Sequence, residues 1–428
     1  MKPWRFPRRR LQAILSPEGF RDLYNSVSYC NRCGACSQVC PNYQLHHQET
    51  FSPRGRNQLL RLILEEKIKL NPHDKLLTKT LRTCTLCGRC TQHCAGQIPT
   101  AEHVLEMRRA LHMHTLPTLL YRFLNLRENA PRLFAWVART ALILRQWGAL
   151  KLARALQLTR LKPFSFLNHL DDLLPAKIPS LKKVLHRQNL APETQPPQLI
   201  YLPSLEAQFL LPDIACKTIT LARRKFRTSV WTNTPTGLFP YVYGDLRQSR
   251  LTLRRLIRKH AGTETGNLPL LTDSIDVYSF LKRAPQLFAG YKKWEIRAKN
   301  LADCVQFVTA VFPPVKKQKF PSAVQLEYGA LFERQGPVFD QAKKILCTLF
   351  DKNLLECCYT DADVPAYGYV FVAPQEAAKI GLQAVERLAR TRTHKVVALS
   401  GLAALELNYL CKKFYPAAEA THFVHVDR

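Results

Sequence analysis

The sequence predicts an α+β multidomain chain: an α-helical N-terminal segment rich in paired cysteines, followed by two α/β repeats with mainly parallel sheets. Three observations predict it. At 428 residues the chain is too long for one ordinary domain. Eight of its fourteen cysteines fall in two tight runs before residue 95, amid helical periodicity. Beyond a proline-rich stretch, short apolar strand candidates alternate with amphipathic helices, and that order is run through twice.

An apolar fraction of 46% with 10% aromatics excludes a disordered chain. Lys plus Arg number 63 against 32 Asp plus Glu, a formal net charge of +31 that favours acidic partners: nucleic acid, anionic lipid or acidic protein. The start of the chain carries Arg8, Arg9 and Arg10, but the apolar stretch after them runs only from Leu11 to Leu15 before Ser16 and Pro17. That is too short for an export signal. No run of about 18 apolar residues occurs, so the expectation is a cytoplasmic chain, or one peripheral on the inner face of a membrane.

Residues 1–115 hold the cysteine runs. Between them, Leu59, Leu60, Ile63 and Leu64 recur at helical spacing behind Pro53, predicting a helix over Arg54 to Leu70. Residues 116–197 form a basic helical connector broken at Pro131, Pro163 and Pro175, ending in the linker Ala191 to Pro197. Residues 198–312 are the first α/β repeat. Strands are expected at Leu199–Leu202, Ser229–Thr232 and Leu268–Leu271, with helices over Asp213–Phe226, Asp245–His260 and Ile275–Phe288. Residues 313–428 repeat the order. Strands fall at Ala323–Leu326, Leu354–Leu355 and Lys395–Leu399, with helices over Phe339–Phe350, Gln375–Thr391 and Leu402–Phe414.

The cysteine runs carry the chemistry. Cys30-x2-Cys33-x2-Cys36-x3-Cys40-Pro41 recurs as Cys84-x2-Cys87-x2-Cys90-x3-Cys94. This is the rhythm of a bacterial ferredoxin, in which the fourth cysteine of each run serves the other [4Fe-4S] cluster. Three thiolates at this spacing wrap a tight loop round three corners of a cube, and the fourth must come from elsewhere. Gly34 and Gly88 follow the second cysteine of each run, where the chain turns close to the cluster. Cluster one is thereby assigned Cys30, Cys33, Cys36 and Cys94, and cluster two Cys84, Cys87, Cys90 and Cys40. The alternative is a pair of four-cysteine zinc sites, which more often show two CxxC pairs. Ala95 departs from the proline that usually follows the fourth cysteine.

With Phe51-Ser52-Pro53-Arg54-Gly55-Arg56 between them, the two runs resemble the iron–sulfur subunit of glycolate oxidase. They are also similar to related subunits of lactate-utilisation, anaerobic glycerol-3-phosphate dehydrogenase and heterodisulfide reductase complexes. The resemblance is specific over about residues 20–110 and weaker over 198–428. It implies an α-helical two-cluster ferredoxin-type domain in an electron-transfer subunit. Such a subunit takes electrons from a flavoprotein partner of the 2-hydroxy acid oxidising type, glycolate or lactate for example. They pass through two cubanes to a quinone or another acceptor. Such subunits carry two cysteine-rich C-terminal repeats, and here most of those cysteines are missing. The first Cys-Cys-Gly position reads Pro235-Thr236-Gly237, with the repeat's later cysteine falling near Asp276 or Val277. In the second repeat, Leu326-Glu327-Tyr328-Gly329 stands where a cysteine motif is expected. There Cys357 and Cys358 survive before Tyr359, and the end cysteine falls near Leu402.

Cys216, Cys304, Cys347 and Cys411 read as scattered core thiols. Cys357-Cys358 reads either as neighbouring thiols at a strand end or as a redox site reducing quinone or disulfide, which would make the chain an enzyme in its own right. A scaffold with structural clusters is the third reading. In the connector, Trp136 and Trp147 lie among leucines and basic residues, a membrane-surface pattern. Arg132, Arg139, Arg145, Lys151 and Arg154 nevertheless spread round the helix, which suits packing against the ferredoxin-type domain equally well. No specific nucleic-acid motif occurs, nor any G-x-G-x-x-G fingerprint, P-loop or flavin site. His46, His47 and His93, and Arg32 and Arg89 beside ligands, either tune potential or face solvent or a partner.

Overall fold

The computed structural model describes residues 23–69, 71–111, 118–157, 171, 173–175, 177–190, 195–263, 267–313, 324–327, 337–350, 355–357 and 374–426. The arginine-rich start, Pro163, Tyr328, Gly329 and Cys358 lie outside them, as do the side chains of Glu327 and Cys357. No helix among the described residues is long and apolar enough to cross a membrane.

Among the described residues, seven α-helices carry the N-terminal segment: Leu23–Ser28, Ala35–Gln38, Pro41–His46, Pro53–Leu64, Lys75–Arg82, Arg89–Gln92 and Thr100–Ala110. The Pro53–Leu64 helix starts where Ser52 accepts a cap hydrogen bond from the Gly55 amide and Pro53 takes the first turn. It stops six residues short of the expected Leu70. Glu66 there adopts a left-handed φ of 61°, and the Lys67 amide reaches back to the Leu62 carbonyl. That is the helix-ending motif in which glycine usually stands, occupied here by glutamate.

In the connector, Pro131 opens a new helix, Pro131–Gln146, rather than merely breaking the Thr118–Asn129 one. Shorter helices follow at Ala149–Ala155 and Leu181–Arg187.

Two four-stranded sheets come next, all parallel and with the same strand order. The first runs β2-β1-β3-β4, with β1 Leu199–Leu202, β2 Thr228–Val230, β3 Leu270–Thr272 and β4 Val305–Phe307. The second runs β6-β5-β7-β8, with β5 Val324–Glu327, β6 Leu355–Cys357, β7 Lys395–Ala398 and β8 Glu419–His422. Parallel pairing demands helical crossovers, and Pro212–Arg223, Leu246–Ala261, Pro337–Leu349, Pro374–Arg390 and Gly401–Phe414 provide them. The fourth strands β4 and β8 escape the sequence reading because they are short and, in Glu419-Ala420-Thr421-His422, half polar. The helix expected over Ile275–Phe288 is two, Ile275–Lys282 and Ala284–Leu287, because Pro285 lacks the amide the ladder needs.

Strand alternation joins the units. In β1, Ile200 and Leu202 face a core shared with the N-terminal helices through Leu60, Leu81 and Leu105. Leu199 and Tyr201 face the opposite core, shared with Leu181 and Val184 of the connector and with Leu326 and Val397 of the second sheet. All four β1 residues are buried, as expected of a parallel strand covered on both faces.

The two sheets abut at the carboxyl ends of their strands. Asp273, just after β3, accepts from the Ser204 amide at 2.8 Å and the Ser204 hydroxyl at 2.9 Å, just after β1. From the second sheet, His422 Nε2 lies 3.0 Å from the Asp273 carbonyl, and the Leu399 carbonyl accepts from the Ile275 amide at 3.2 Å. Gly401 fits against Glu206, whose Cγ would lie 2.7 Å from a Cβ at that glycine.

Glu406 makes a stability prediction. It is 5% exposed, its Oε1 has no hydrogen-bond partner, and burial pushes its carboxyl up to about 8. The folded state therefore holds a proton that the unfolded chain releases near pH 4.5. The stabilisation is full below that pH and is lost as pH rises through about 8. Glu406→Gln should raise the thermal midpoint at pH 8 and flatten its decline between pH 6 and 8. Parallel melting curves of variant and parent would sink this assignment.

Candidate metal centre

Each cysteine run makes the same loop. Arg32 and Gly34 flank Cys33 with φ of 56° and 87°, and Leu86 and Gly88 flank Cys87 with φ of 56° and 74°. Left-handed residues interleaved this way turn successive backbone N–H groups inward, the concavity that accommodates an anionic group. Each loop then enters a four-residue helix, Ala35–Gln38 or Arg89–Gln92, and these two helices pack against each other.

That packing crosses the runs. Burial pushes the Cys36 thiol up to about 11, and the nearby thiols that push it further are Cys30, Cys94 and Cys40. Burial also raises Cys40, against the lowering effect of Arg56, and the thiols that add to it are Cys87 and Cys84. Cys90 is raised by burial and then by Cys87, Cys84, Cys40 and Cys36. Cys94 is thus near Cys36 of the other run, and Cys40 is near Cys84, Cys87 and Cys90 of the other run as well as Cys36 of its own. Among the described residues no group of three or more His, Cys, Asp or Glu converges as the shell of a single ion. A cubane asks for something else: one thiolate at each of four irons, so that the sulfurs surround the cluster.

Residues 26–98 match the 4Fe-4S dicluster domain. The chain is also similar to a probable glycolate oxidase iron–sulfur subunit of Bacillus subtilis, 29% identical over 39% of this chain and 38% of that one. It is also similar to the glycolate oxidase iron–sulfur subunit of Escherichia coli, 29% identical over 27% of this chain and 28% of the relative. Lactate utilization protein B of an Exiguobacterium species is 32% identical over 21% of this chain and 18% of its own. Each alignment therefore spans less than two fifths of the relative's length. No solved structure matches the chain.

The dicluster domain's loops are held by the segment between them. Arg54 donates from Nε and Nη2 to the two carboxylate oxygens of Glu49, at 2.6 and 3.0 Å, and from Nη1 to the Arg32 carbonyl at 3.2 Å. These bonds hold the Glu49 carboxyl below its usual range. Gly55 is required because a Cβ there would run into the Glu49 carbonyl. Arg56, 1% exposed, donates to the Phe51 carbonyl at 2.7 Å and the Thr80 carbonyl at 3.1 Å, with Nη1 3.9 Å from Cys40 Sγ. Asn42, in the helix that Cys40 caps, donates to the Thr83 carbonyl just before the second loop.

Two supports escaped the sequence reading. Asn57 Nδ2 lies 3.9 Å from Cys30 Sγ and donates to Thr100 Oγ1 at 2.9 Å. Its Oδ1 is 2.9 Å from His103 Nδ1, whose Nε2 meets Ser26 Oγ at 2.9 Å. His103 is fully buried, and burial lowers it to about 3, so it stays neutral. The other is Arg108, which donates to the carbonyls of Leu81, Arg82 and Cys84 and, across to the first α/β repeat, to that of Val242.

Residues singled out earlier separate. Arg32 is exposed and contributes its backbone, whereas Arg89 is wholly buried. His46 stacks on Phe51 at 4.3 Å, while His93 is exposed. Pro235-Thr236-Gly237 leads into the Leu238–Val242 helix, with Gly237 at φ 88° against Ser249. Asp276 and Val277 are buried in the Ile275–Lys282 helix. Cys216 and Cys411 are core thiols, each pushed up to about 11 by burial. Cys304 and Cys347 are not; both are only partly buried, near helix ends.

Proposed function

We propose that the chain is the iron–sulfur electron-transfer subunit of a multi-subunit oxidoreductase. Two [4Fe-4S] clusters would be held by Cys30, Cys33, Cys36 and Cys94, and by Cys84, Cys87, Cys90 and Cys40. The donor is a flavoprotein that oxidises a 2-hydroxy acid of the glycolate or lactate type, and the acceptor a quinone or another acceptor. The observation that best supports the reading is that the thiols acting on Cys36 include Cys94, and those acting on Cys40 include Cys87 and Cys84, alongside the similarity to glycolate oxidase iron–sulfur subunits. When bound, a cubane takes up and releases one electron at a time.

The residues of the chain have separate tasks. The two left-handed loops present amides to the sulfides. Buried Arg56 and Arg89 set positive charge on the second-loop side, which favours the reduced state there. Cys33 is exposed and its loop faces solvent, while Thr83, Thr85 and Leu86 are buried against the interior. That exposure favours the first loop as the side on which a flavoprotein would dock.

Iron and acid-labile sulfide in the anaerobically purified chain, with EPR before and after dithionite, test this. The expectation is about eight of each per chain and a spin-coupled signal on reduction. Zinc in their place, or clusters that resist reduction, would overturn the relay.

A further inference from the structure

Of the sixteen large apolar side chains exposed among the described residues, seven lie in one 24-residue stretch, Leu133 to Leu156. They are not scattered. Along the Pro131–Gln146 helix and its cap, Leu133, Trp136, Ile143, Leu144 and Trp147 fall within one arc, at the i, i+3, i+10, i+11 and i+14 positions. Trp136 is 66% exposed and Trp147 81%. The opposite side holds Phe134, buried against Phe123 and Phe209. A helix with an apolar stripe on each side has one stripe for the core and one for something else. The Ala149–Ala155 helix continues the outward stripe with Leu152 and Leu156, 62% and 61% exposed.

The charges sort in the same way. Arg145 turns inward, donating to the Asp171 carboxylate and to the carbonyls of Asp171, Leu174 and Pro175, and Arg154 joins it on Asp171. Arg132 is exposed and Arg139 half-buried; by helical spacing both border the apolar arc along one edge, with Lys151 exposed beside the second helix. This resolves the apparent spread of the basic residues. Those off the stripe fix the helix pair to the protein, and those at its margin flank the apolar face.

We infer that these two helices are a peripheral anchor that lies in the headgroup region of an anionic bilayer. Tryptophan belongs at that depth because its ring is apolar and its N–H is polar, and marginal arginines meet anionic headgroups while the leucines enter the acyl boundary. An acidic protein would answer the net charge of +31 as well, but two tryptophans and five aliphatic side chains on one exposed stripe with basic residues at its margin make the pattern of an interfacial helix. The inference places the proposed relay at the depth where a quinone acceptor would be met, and to that extent rests on the relay reading.

The test uses the full cluster-bearing chain in flotation with phosphatidylcholine vesicles, with and without phosphatidylglycerol. Tryptophan fluorescence is followed with lipids brominated at different depths. Binding to the anionic vesicles, with quenching strongest from shallow bromines, is expected. Trp136→Ala with Trp147→Ala should weaken it by about tenfold or more and abolish the quenching. Arg132→Glu with Arg139→Glu should weaken binding while leaving helix content and cluster absorbance unchanged. Binding that salt abolishes and the tryptophan variant leaves intact would overturn the anchor, leaving only a general attraction of a basic chain. So would a dimer that the same variant dissolves, since the stripe would then face a second copy. Iron content and dithionite reduction, read on the same samples, report the relay separately from the anchor.

Discussion

Cys33→Ser and Cys94→Ser should each lower iron from about eight to about four per chain, and the double variant should lose no more than either alone. Two ligands of one cluster are redundant as losses, because removing either empties the same site. The spin coupling between clusters should vanish in all three variants, leaving the signal of one isolated centre. Cys40→Ser combined with Cys33→Ser should instead leave almost no iron. If each run closed its own cluster, the pattern would invert: Cys33→Ser with Cys94→Ser would be the iron-free protein. The comparison needs only iron counts and reduced EPR spectra, and it reads the crossing without a structure of the loaded chain. It rests on the thiol neighbourhoods described above, where Cys94 raises Cys36, and Cys84 and Cys87 raise Cys40.

Arg108→Ala should be the most damaging substitution outside the cysteines. Arg108 is 3% exposed, and its guanidinium donates to four carbonyls, those of Leu81, Arg82, Cys84 and Val242. Removing it strips these buried acceptors of a charged donor, and a loss of roughly 3 kcal/mol or more is expected. Lysine should rescue little, because an ammonium cannot reproduce a planar fork that reaches both elements. Gly244 sits against the Arg108 backbone with φ 92°, so the interface has no slack to take up the change. Urea titration, with cluster absorbance followed alongside, checks the outcome. An unchanged midpoint and full iron retention would show that water replaces the arginine at no cost.

Local features of this molecule were legible in the sequence and distant ones were not. The cysteine rhythm and its glycines are readable because a tight loop is built from consecutive residues, as the matching φ angles at Arg32 and Leu86 and at Gly34 and Gly88 bear out. The duplicated sheet is readable because element order survives where residue identity does not, and both sheets have the same strand order. His103 was invisible because nothing marks a histidine on an apolar face until Asn57 and Ser26, 46 and 77 positions away, are brought to it. Arg108 was hidden for the same reason, its most distant carbonyl being 134 positions along the chain. The connector's arginines looked evenly spread because Asp171, which draws two of them inward, carries no sequence signature.

The seam between the sheets has a mechanical consequence. In open parallel sheets the crevice outside the carboxyl ends, where strand order reverses, is the usual place for a ligand. In the first sheet that reversal lies between β1 and β3, and Ser204 and Asp273 stand there. The second sheet closes over it with His422, Leu399 and Gly401. The crevice has become a joint. Prising it open would break the hydrogen bonds from His422 and Leu399 that join the two sheets, which should make the C-terminal half resist bending there. With Arg108 tying the dicluster domain to the first α/β repeat through Val242, the proposed relay would sit on a frame joined to that seam.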